Sequence, residues 1–313
     1  MKVLVTGGAG FIGSHLAEAL CRRGARVVVL DNLSSGKTSN LDWKRSSDDL
    51  ECIQGDVADE LLVKDLIQGC EWVFHEAAMT SVPISVAKPL ETHQHNVDGT
   101  LRLLILARAA GVKRFLFASS SSIYGDSPLT SKHESMPPAP LSPYALQKFA
   151  AEKYCQLFHQ LYDLPTVSLR YFNVFGPRQA FDSPYSGVIA KFCTSMLQGQ
   201  PPTIYGDGLQ SRDFTYIENV IQANLAAAEA PSDKVIGKVF NIAAGQSISL
   251  LQLFRELNQL TGQSLKPRFE PARLGDVKHS QADISAAKQA LGYEPKVNWQ
   301  AGLKRTLEFY RQQ

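Results

Sequence analysis

Two stretches of the chain carry side chains that can move a proton. Residues 141–152 read LSPYALQKFAAE and set Tyr144 and Lys148 four positions apart. On a helix those positions share a face, and Ser142 and Pro143 are residue types that open helices. A phenol has an ordinary pKa of about 10 and is a poor base near neutrality. A neighbouring ammonium favours the phenolate, and such a pair is suited to taking a proton from an alcohol. An isolated pair of this kind is otherwise a surface contact, so its surroundings decide. Residues 117–125, FASSSSIYG, place four hydroxyls, Ser119 to Ser122, at the end of an apolar run upstream of Tyr144.

A partner for such chemistry is written at the other end of the chain. TGGAGFIG, residues 6–13, spaces Gly7, Gly10 and Gly13 between an apolar run and a helical pattern. Glycine is needed there for a tight turn, for close approach of backbone to a pyrophosphate, and for helix–strand packing. Asp31 ends the next apolar run. A carboxylate at that point accepts both ribose hydroxyls and repels a 2′-phosphate, and Asn32 follows it where an NADP site has Arg. The spacing therefore predicts NAD as cofactor, whose oxidised ring adds a second positive charge in favour of the phenolate. Asp56-Val57 follows the third apolar run. Its carboxylate either receives the adenine amino group or caps the helix that follows, and spacing leaves both open.

The elements that must position these groups alternate over the first 175 residues. Val3–Val5, Val27–Leu30, Glu51–Gln54, Trp72–Phe74, Phe115–Phe117 and Thr166–Leu169 read as strands, most of them apolar on both faces as buried parallel strands are. Helical patterns over about 11–23, 59–69, 91–110 and 143–162 separate them. That rhythm predicts an α/β doubly wound parallel sheet over residues 1–175, with ligands at the carboxyl ends of the strands. After residue 176 Gly and Pro become frequent, and a smaller mixed α/β domain over 176–313 is expected, with helices near 217–229, 249–260 and 301–311. The helix 217–229 and a strand at 238–242 are candidates to rejoin the first sheet.

Composition narrows the classes. The 313 residues are 44% hydrophobic and 20% charged with a formal net charge of +2, which suits a globular enzyme and disfavours nucleic acid or an anionic membrane as partner. No apolar run approaches a membrane span, and MKVLVTGGAG lacks the charged and cleavage regions of a signal peptide. Five cysteines without close pairs indicate a reduced, cytoplasmic setting. His93 and His95 lie two apart and do not share a helix face, and no metal site is expected. His75 reads as a satisfied imidazole at a strand end.

TGGAGFIG, the serine run before Tyr124-Gly125 and SPYALQK together resemble the extended short-chain dehydrogenase/reductase superfamily. LRYFNVFGPRQ, GDGLQSRDFTYI (206–217) and RLGDVKHS (273–280) are similar to its UDP-sugar 4-epimerase branch. The resemblance runs from residue 2 to about 310. It implies that Ser120 is the catalytic hydroxyl, Tyr144 the acid and base, and Lys148 the residue that tunes it while binding nicotinamide ribose. It implies further cofactor contacts from Phe11, Ile12, Ser34, Gly36, Ala77, Ala78, Asn96 and Tyr171. For the substrate it implies Ser122, Asn173, Val188, Thr203 and Tyr205, with Arg212 and Arg273 clamping the diphosphate and Asp276 holding the ribose. Planar guanidinium groups suit phosphate oxygens. Ser121 and Ser122 stand where 4,6-dehydratases of the superfamily carry Asp and Glu, which disfavours dehydration.

Three positions depart from, or vary within, that pattern. Glu76 and Thr80 stand where a well-known bacterial epimerase has Phe and Lys. Ser280 falls where some members carry a bulky Tyr, and its small size implies room for N-acetylated sugars as well as plain hexoses. The resemblance thus implies a UDP-sugar 4-epimerase with tightly bound NAD, working through a transient 4-keto sugar. Alternatives are a UDP-glucuronate 4-epimerase or decarboxylase and, from another class, a non-enzymatic dinucleotide-sensing protein on the same fold. It also implies a homodimer formed by the 91–110 and 143–162 helices, with Leu101, Leu104, Ile105, Ala109, Leu157 and Phe158 at helical spacing.

Overall fold

The computed structural model describes residues 1–127, 129, 131–181, 187–272 and 278–313. Seven strands form one parallel sheet: β1 (Lys2–Thr6), β2 (Arg26–Asp31), β3 (Leu50–Gln54), β4 (Cys70–His75), β5 (Arg114–Ser120), β6 (Thr166–Tyr171) and β7 (Val239–Ile242). Their order across the sheet is β3-β2-β1-β4-β5-β6-β7. This is the doubly wound α/β fold that the sequence implies. The strand order reverses beside β1, and ligands of open α/β sheets bind at the carboxyl ends around such a switch point.

Apolar runs become parallel strands here because both faces are covered. Val3 and Val5 of β1 pack into one core with Leu16 and Leu20 of helix α1 (Phe11–Arg22). Leu4, between them, points to the other face and joins Val28, Leu103 and Phe115. Leu4 has no exposure at all, and cutting such a side chain to Ala costs about 2–5 kcal/mol.

Helix α2 (Glu60–Ile67) follows β3 and is capped by Asp59, whose side chain accepts from Leu62 N. The capping reading of Asp56 is thereby corrected. The helix expected over 91–110 is built in pieces: Pro89–His93, a π-helical turn over Gln94–Asp98, and α3 (Gly99–Ala109). Helix α4 (Pro143–Tyr162) starts where Ser142 caps Ala145 N and stops at Asp163, which adopts the left-handed conformation. Leu104 and Phe158, expected on a dimer face, lie in the chain's own core, while Ile105 and Leu157 are exposed.

Beyond β6 the chain forms α5 (Val188–Leu197), α6 (Ile217–Glu229), α7 (Leu250–Thr261) and α8 (Trp299–Tyr310). The first of these is absent from the sequence reading: its N-cap is Gly187, with no side-chain cap to announce it. Short ladders join distant segments, among them Thr203–Tyr205 with Arg268–Glu270 and Ser211–Arg212 with Ile248–Ser249. Strand β7 pairs with β6 at the sheet edge. Among the described residues no helix is long and apolar enough to cross a membrane.

Candidate active site

The turn after β1 is shaped by what its glycines lack. Gly7 has a φ of +67°, and a Cβ on Gly13 would lie 2.2 Å from the Gly7 carbonyl oxygen. Gly10 is the N-cap of α1 and offers no side-chain cap, so the first-turn N–H groups face outward for an anion. Asp31 ends β2. Its Oδ2 accepts from Ala9 N at 2.9 Å and its Oδ1 from Leu33 N at 2.8 Å. Each oxygen keeps a lone pair for a ribose hydroxyl. Gly36 leaves that side open, since a Cβ there would sit 2.8 Å from both carboxylate oxygens. Asn32 Nδ2 donates to Asp56 Oδ2 at 2.7 Å and Ser34 N donates to Asn32 Oδ1 at 3.0 Å, closing a small polar rim, while Val57 is buried in the core with Leu4. This cradle fits a dinucleotide.

The rim continues at the end of β4. Ala77 packs against Gly7, where a Cβ would lie 2.7 Å from Ala77 N. Ala78 follows it in the same partly buried stretch. Asn96 lies in the π-helical turn and braces this segment, accepting from Met79 N at 2.8 Å and donating to Met79 O at 3.0 Å. Its amide also reaches Gln147 Oε1 at 2.9 Å. His75 is fully buried between the hydroxyls of Thr6 and Thr100, at 2.7 and 2.9 Å. Burial pushes it down to about 3, so it is a neutral spacer and no base.

Three side chains from two elements meet beyond the cradle. Ser120, the last residue of β5, accepts from Ser122 N at 3.2 Å and from Ser122 Oγ at 2.9 Å. Tyr144 is buried, its backbone N held by Ser85 Oγ at 3.1 Å. Burial raises its phenol above the usual 10, and the Ser120 hydroxyl acts the other way. Lys148 lies one turn further along α4, with Nζ donating to Ala118 O at 2.7 Å and 4.9 Å above the Phe117 ring. Burial pulls Lys148 down to about 8, with the Glu76 carboxylate holding it up. Glu76 is thus the acid whose charge acts on Lys148, and Ser120 the hydroxyl that acts on Tyr144. Ser119 is consumed elsewhere: its hydroxyl donates to Glu152 Oε2 at 2.7 Å.

A buried network that sequence reasoning missed supports this cluster. Glu152, two turns beyond Tyr144, takes Arg170 on both oxygens, at 2.9 and 2.6 Å. Arg170 Nη1 donates to the Tyr124 hydroxyl at 2.8 Å, which donates to Asn241 Oδ1 at 2.7 Å. The network ties α4, β5, β6 and β7 together. Tyr171, at the end of β6, donates to Glu76 Oε1 at 2.8 Å and meets Asn224 of α6.

Asn173, Val188, Thr203, Tyr205 and Arg212 line one cavity of about 530 Å³. Arg212 Nη1 donates to Ser211 O at 2.9 Å, and the neighbouring Asp213 accepts from Ala244, Gly245 and Ala282 N–H groups. Asp213 thus fixes the loops behind Arg212, a role without local sequence signature. Ser280 is held beside this wall through its backbone N, which donates to Ser211 O at 3.1 Å. Arg273 and Asp276 lie outside the described residues.

A dinucleotide cradle together with a buried phenol and ammonium, and a hydroxyl at the carboxyl end of β5, is the build of a nicotinamide-dependent enzyme. The chain belongs to the NAD dependent epimerase/dehydratase family, whose model matches residues 3–243. It is 39% identical over 315 residues to the UDP-glucose 4-epimerase of Mycolicibacterium smegmatis, with 99% of each chain covered. The UDP-N-acetylglucosamine 4-epimerase of Methanobrevibacter ruminantium, solved with UDP-N-acetylmuramic acid, superposes with a TM-score of 0.94 at 40% identity over 99% of this chain and 98% of its own. The UDP-glucuronic acid 4-epimerase of Bacillus cereus, solved with UDP-glucuronic acid and NAD, gives 0.92 at 34% identity over 100% and 99%.

Proposed function

We propose that this protein is a UDP-sugar 4-epimerase that inverts C4 of the hexose while keeping its NAD. The observation that carries the reading is the buried Tyr144 phenol against the Ser120 hydroxyl, one helical turn from buried Lys148, in a chain that also holds a dinucleotide cradle and a 530 Å³ cavity. Bound NAD supplies a hydride acceptor that later serves as donor. Tyr144 as phenolate takes the proton of the C4 hydroxyl while Ser120 holds that oxygen. Lys148 supports the phenolate and binds nicotinamide ribose. The resulting 4-keto sugar turns about its diphosphate link and presents the other face, and Tyr144 then returns the proton. Arg212 and Arg273 hold the diphosphate, and Asn173, Val188, Thr203, Tyr205 and Asp276 hold the nucleoside, so the sugar moves while its tether stays fixed.

Gly7, Gly10, Phe11, Ile12 and Gly13 receive the pyrophosphate, and Asp31, Asn32, Ser34 and Gly36 the adenosine ribose. Asp56, Val57, Ala77, Ala78, Asn96 and Tyr171 complete the cofactor wall. Both UDP-glucose/UDP-galactose and UDP-GlcNAc/UDP-GalNAc are taken as substrates, supported by the small Ser280 beside the cavity wall. UDP-glucuronate is the second reading, favoured by the likeness to the Bacillus cereus enzyme. A smaller substrate domain over 176–313 and a homodimer through α3 and α4 belong to the same proposal, supported by exposed Ile105, Leu157 and Leu161. Five free thiols, four of them buried, agree with a cytoplasmic site of action. Incubating the purified protein with each UDP-sugar, without added NAD, and reading products by NMR tests the proposal. Conversion of plain and acetylated hexoses supports it, and a requirement for stoichiometric NAD contradicts it.

A further inference from the structure

Glu76 is an acid that the proposed proton transfer does not use. It directly follows β4, and a Cβ on Gly7 would come within 2.9 Å of its carbonyl carbon, so its backbone touches the dinucleotide turn. Burial raises the Glu76 carboxyl to about 7, while the Tyr171 hydrogen bond and the charge of Lys148 act to keep it ionised. On the proposed reading the cofactor runs from the glycine turn to Lys148, and Glu76 follows β4 directly beside that turn. Among the described residues the hydrogen bond to its carboxylate comes from Tyr171, at 2.8 Å. The Tyr171 hydroxyl faces two acceptors, Glu76 Oε1 at 2.8 Å and Asn224 Oδ1 at 3.1 Å, and the Glu76 contact is the shorter. Asn224 Nδ2 donates to Val220 O at 2.9 Å and to the Tyr171 oxygen at 2.8 Å, which holds the Tyr171 ring end in place. The Glu76 side chain is therefore held in place and half-buried, tied to the residue that ends β6. A carboxylate in such a position is built to act on charge.

We propose that Glu76 is a positioning residue for the redox half of the reaction, its carboxylate favouring the cationic oxidised nicotinamide over the neutral reduced one. When the hydride leaves sugar C4 with its two electrons, the hydroxyl proton goes to Tyr144 and the ring charge falls from positive to neutral. Glu76 loses that attraction on reduction, and the balance is drawn back toward the oxidised cofactor and the alcohol. The 4-keto sugar is thereby kept scarce and short-lived. The role deepens the epimerase reading but can be tested without any sugar, so it can fail while that reading stands.

The experiment is a redox titration of the bound nicotinamide, followed at 340 nm with mediator dyes, on wild type, Glu76→Gln and Glu76→Met. Circular dichroism and cofactor content serve as controls. At one fixed potential both neutral variants are expected to show a reduced-to-oxidised ratio about tenfold above wild type. Glu76→Asp, which keeps the charge, is expected to stay near wild type. A merely structural role would leave the ratio unmoved. An unchanged ratio in the neutral variants, or loss of cofactor from both while they remain folded, overturns the proposal.

Discussion

The Ser119 hydroxyl donates to Glu152 Oε2 at 2.7 Å, so the neighbour of the reacting serine is tied to the helix that carries Tyr144 and Lys148. Arg170 grips the same carboxylate from β6 and passes the connection to Tyr124. The alignment of Ser120 with Tyr144 is therefore set by a buried ion pair and not by the loop alone. Removing one partner of such a pair strands the other charge, at about 3–5 kcal/mol. Glu152→Gln is expected to lower urea-unfolding stability by that order. An unchanged midpoint would show that the network adds nothing to the fold.

Tyr144→Phe keeps the ring that packs in the site and removes the proton carrier. Turnover is expected to fall roughly a thousandfold, within the range for loss of a general acid–base, while bound NAD and the circular dichroism spectrum stay as in wild type. Steady-state kinetics beside cofactor content separate this outcome from simple misfolding.

Lys148 sets the alkaline limit. It must be an ammonium to support the phenolate, and burial brings it to about 8. Below that pH the charge is present; above it the proton is lost. The kcat/KM profile is expected to fall about tenfold per pH unit above this point. A plateau reaching pH 10 would contradict the role given to Lys148.

Much of this site is legible in the sequence because its signals are local. Gly7, Gly10 and Gly13 announce the turn, Asp31 its partner, and the spacing of Tyr144 and Lys148 a shared helix face. The extended runs give six of the seven sheet strands their places, and the seventh, Val239–Ile242, falls on the 238–242 strand read as a candidate to rejoin the sheet. What stays hidden is what folding brings from afar. Glu152 meets Ser119 across 33 residues and Tyr171 meets Glu76 across 95, and neither pairing leaves a periodic trace. Asp213 looks like one charge in a motif until its carboxylate is seen gathering three backbone N–H groups. Helix α5 escapes notice because Gly187 caps it without a side-chain signal.

His75 links stability to acidity. Its folded-state pKa is pushed to about 3 from the usual 6.5. The unfolded chain therefore takes up this proton first as pH falls, and the neutral imidazole's contribution is present above 6.5 and lost toward 3. The difference is worth on the order of 5 kcal/mol. Denaturant melts of wild type and His75→Gln between pH 7 and 4 are expected to show a steeper loss in wild type. Parallel slopes would mean that His75 is not neutral in the fold.

The central claim is that hydride leaves sugar C4 and returns to the same carbon. Turning over UDP-glucose deuterated at C4, without added NAD and in ordinary water, tests it most directly. The account predicts a slowed reaction and deuterium retained at C4 of the UDP-galactose formed. Loss of the label to solvent would contradict it.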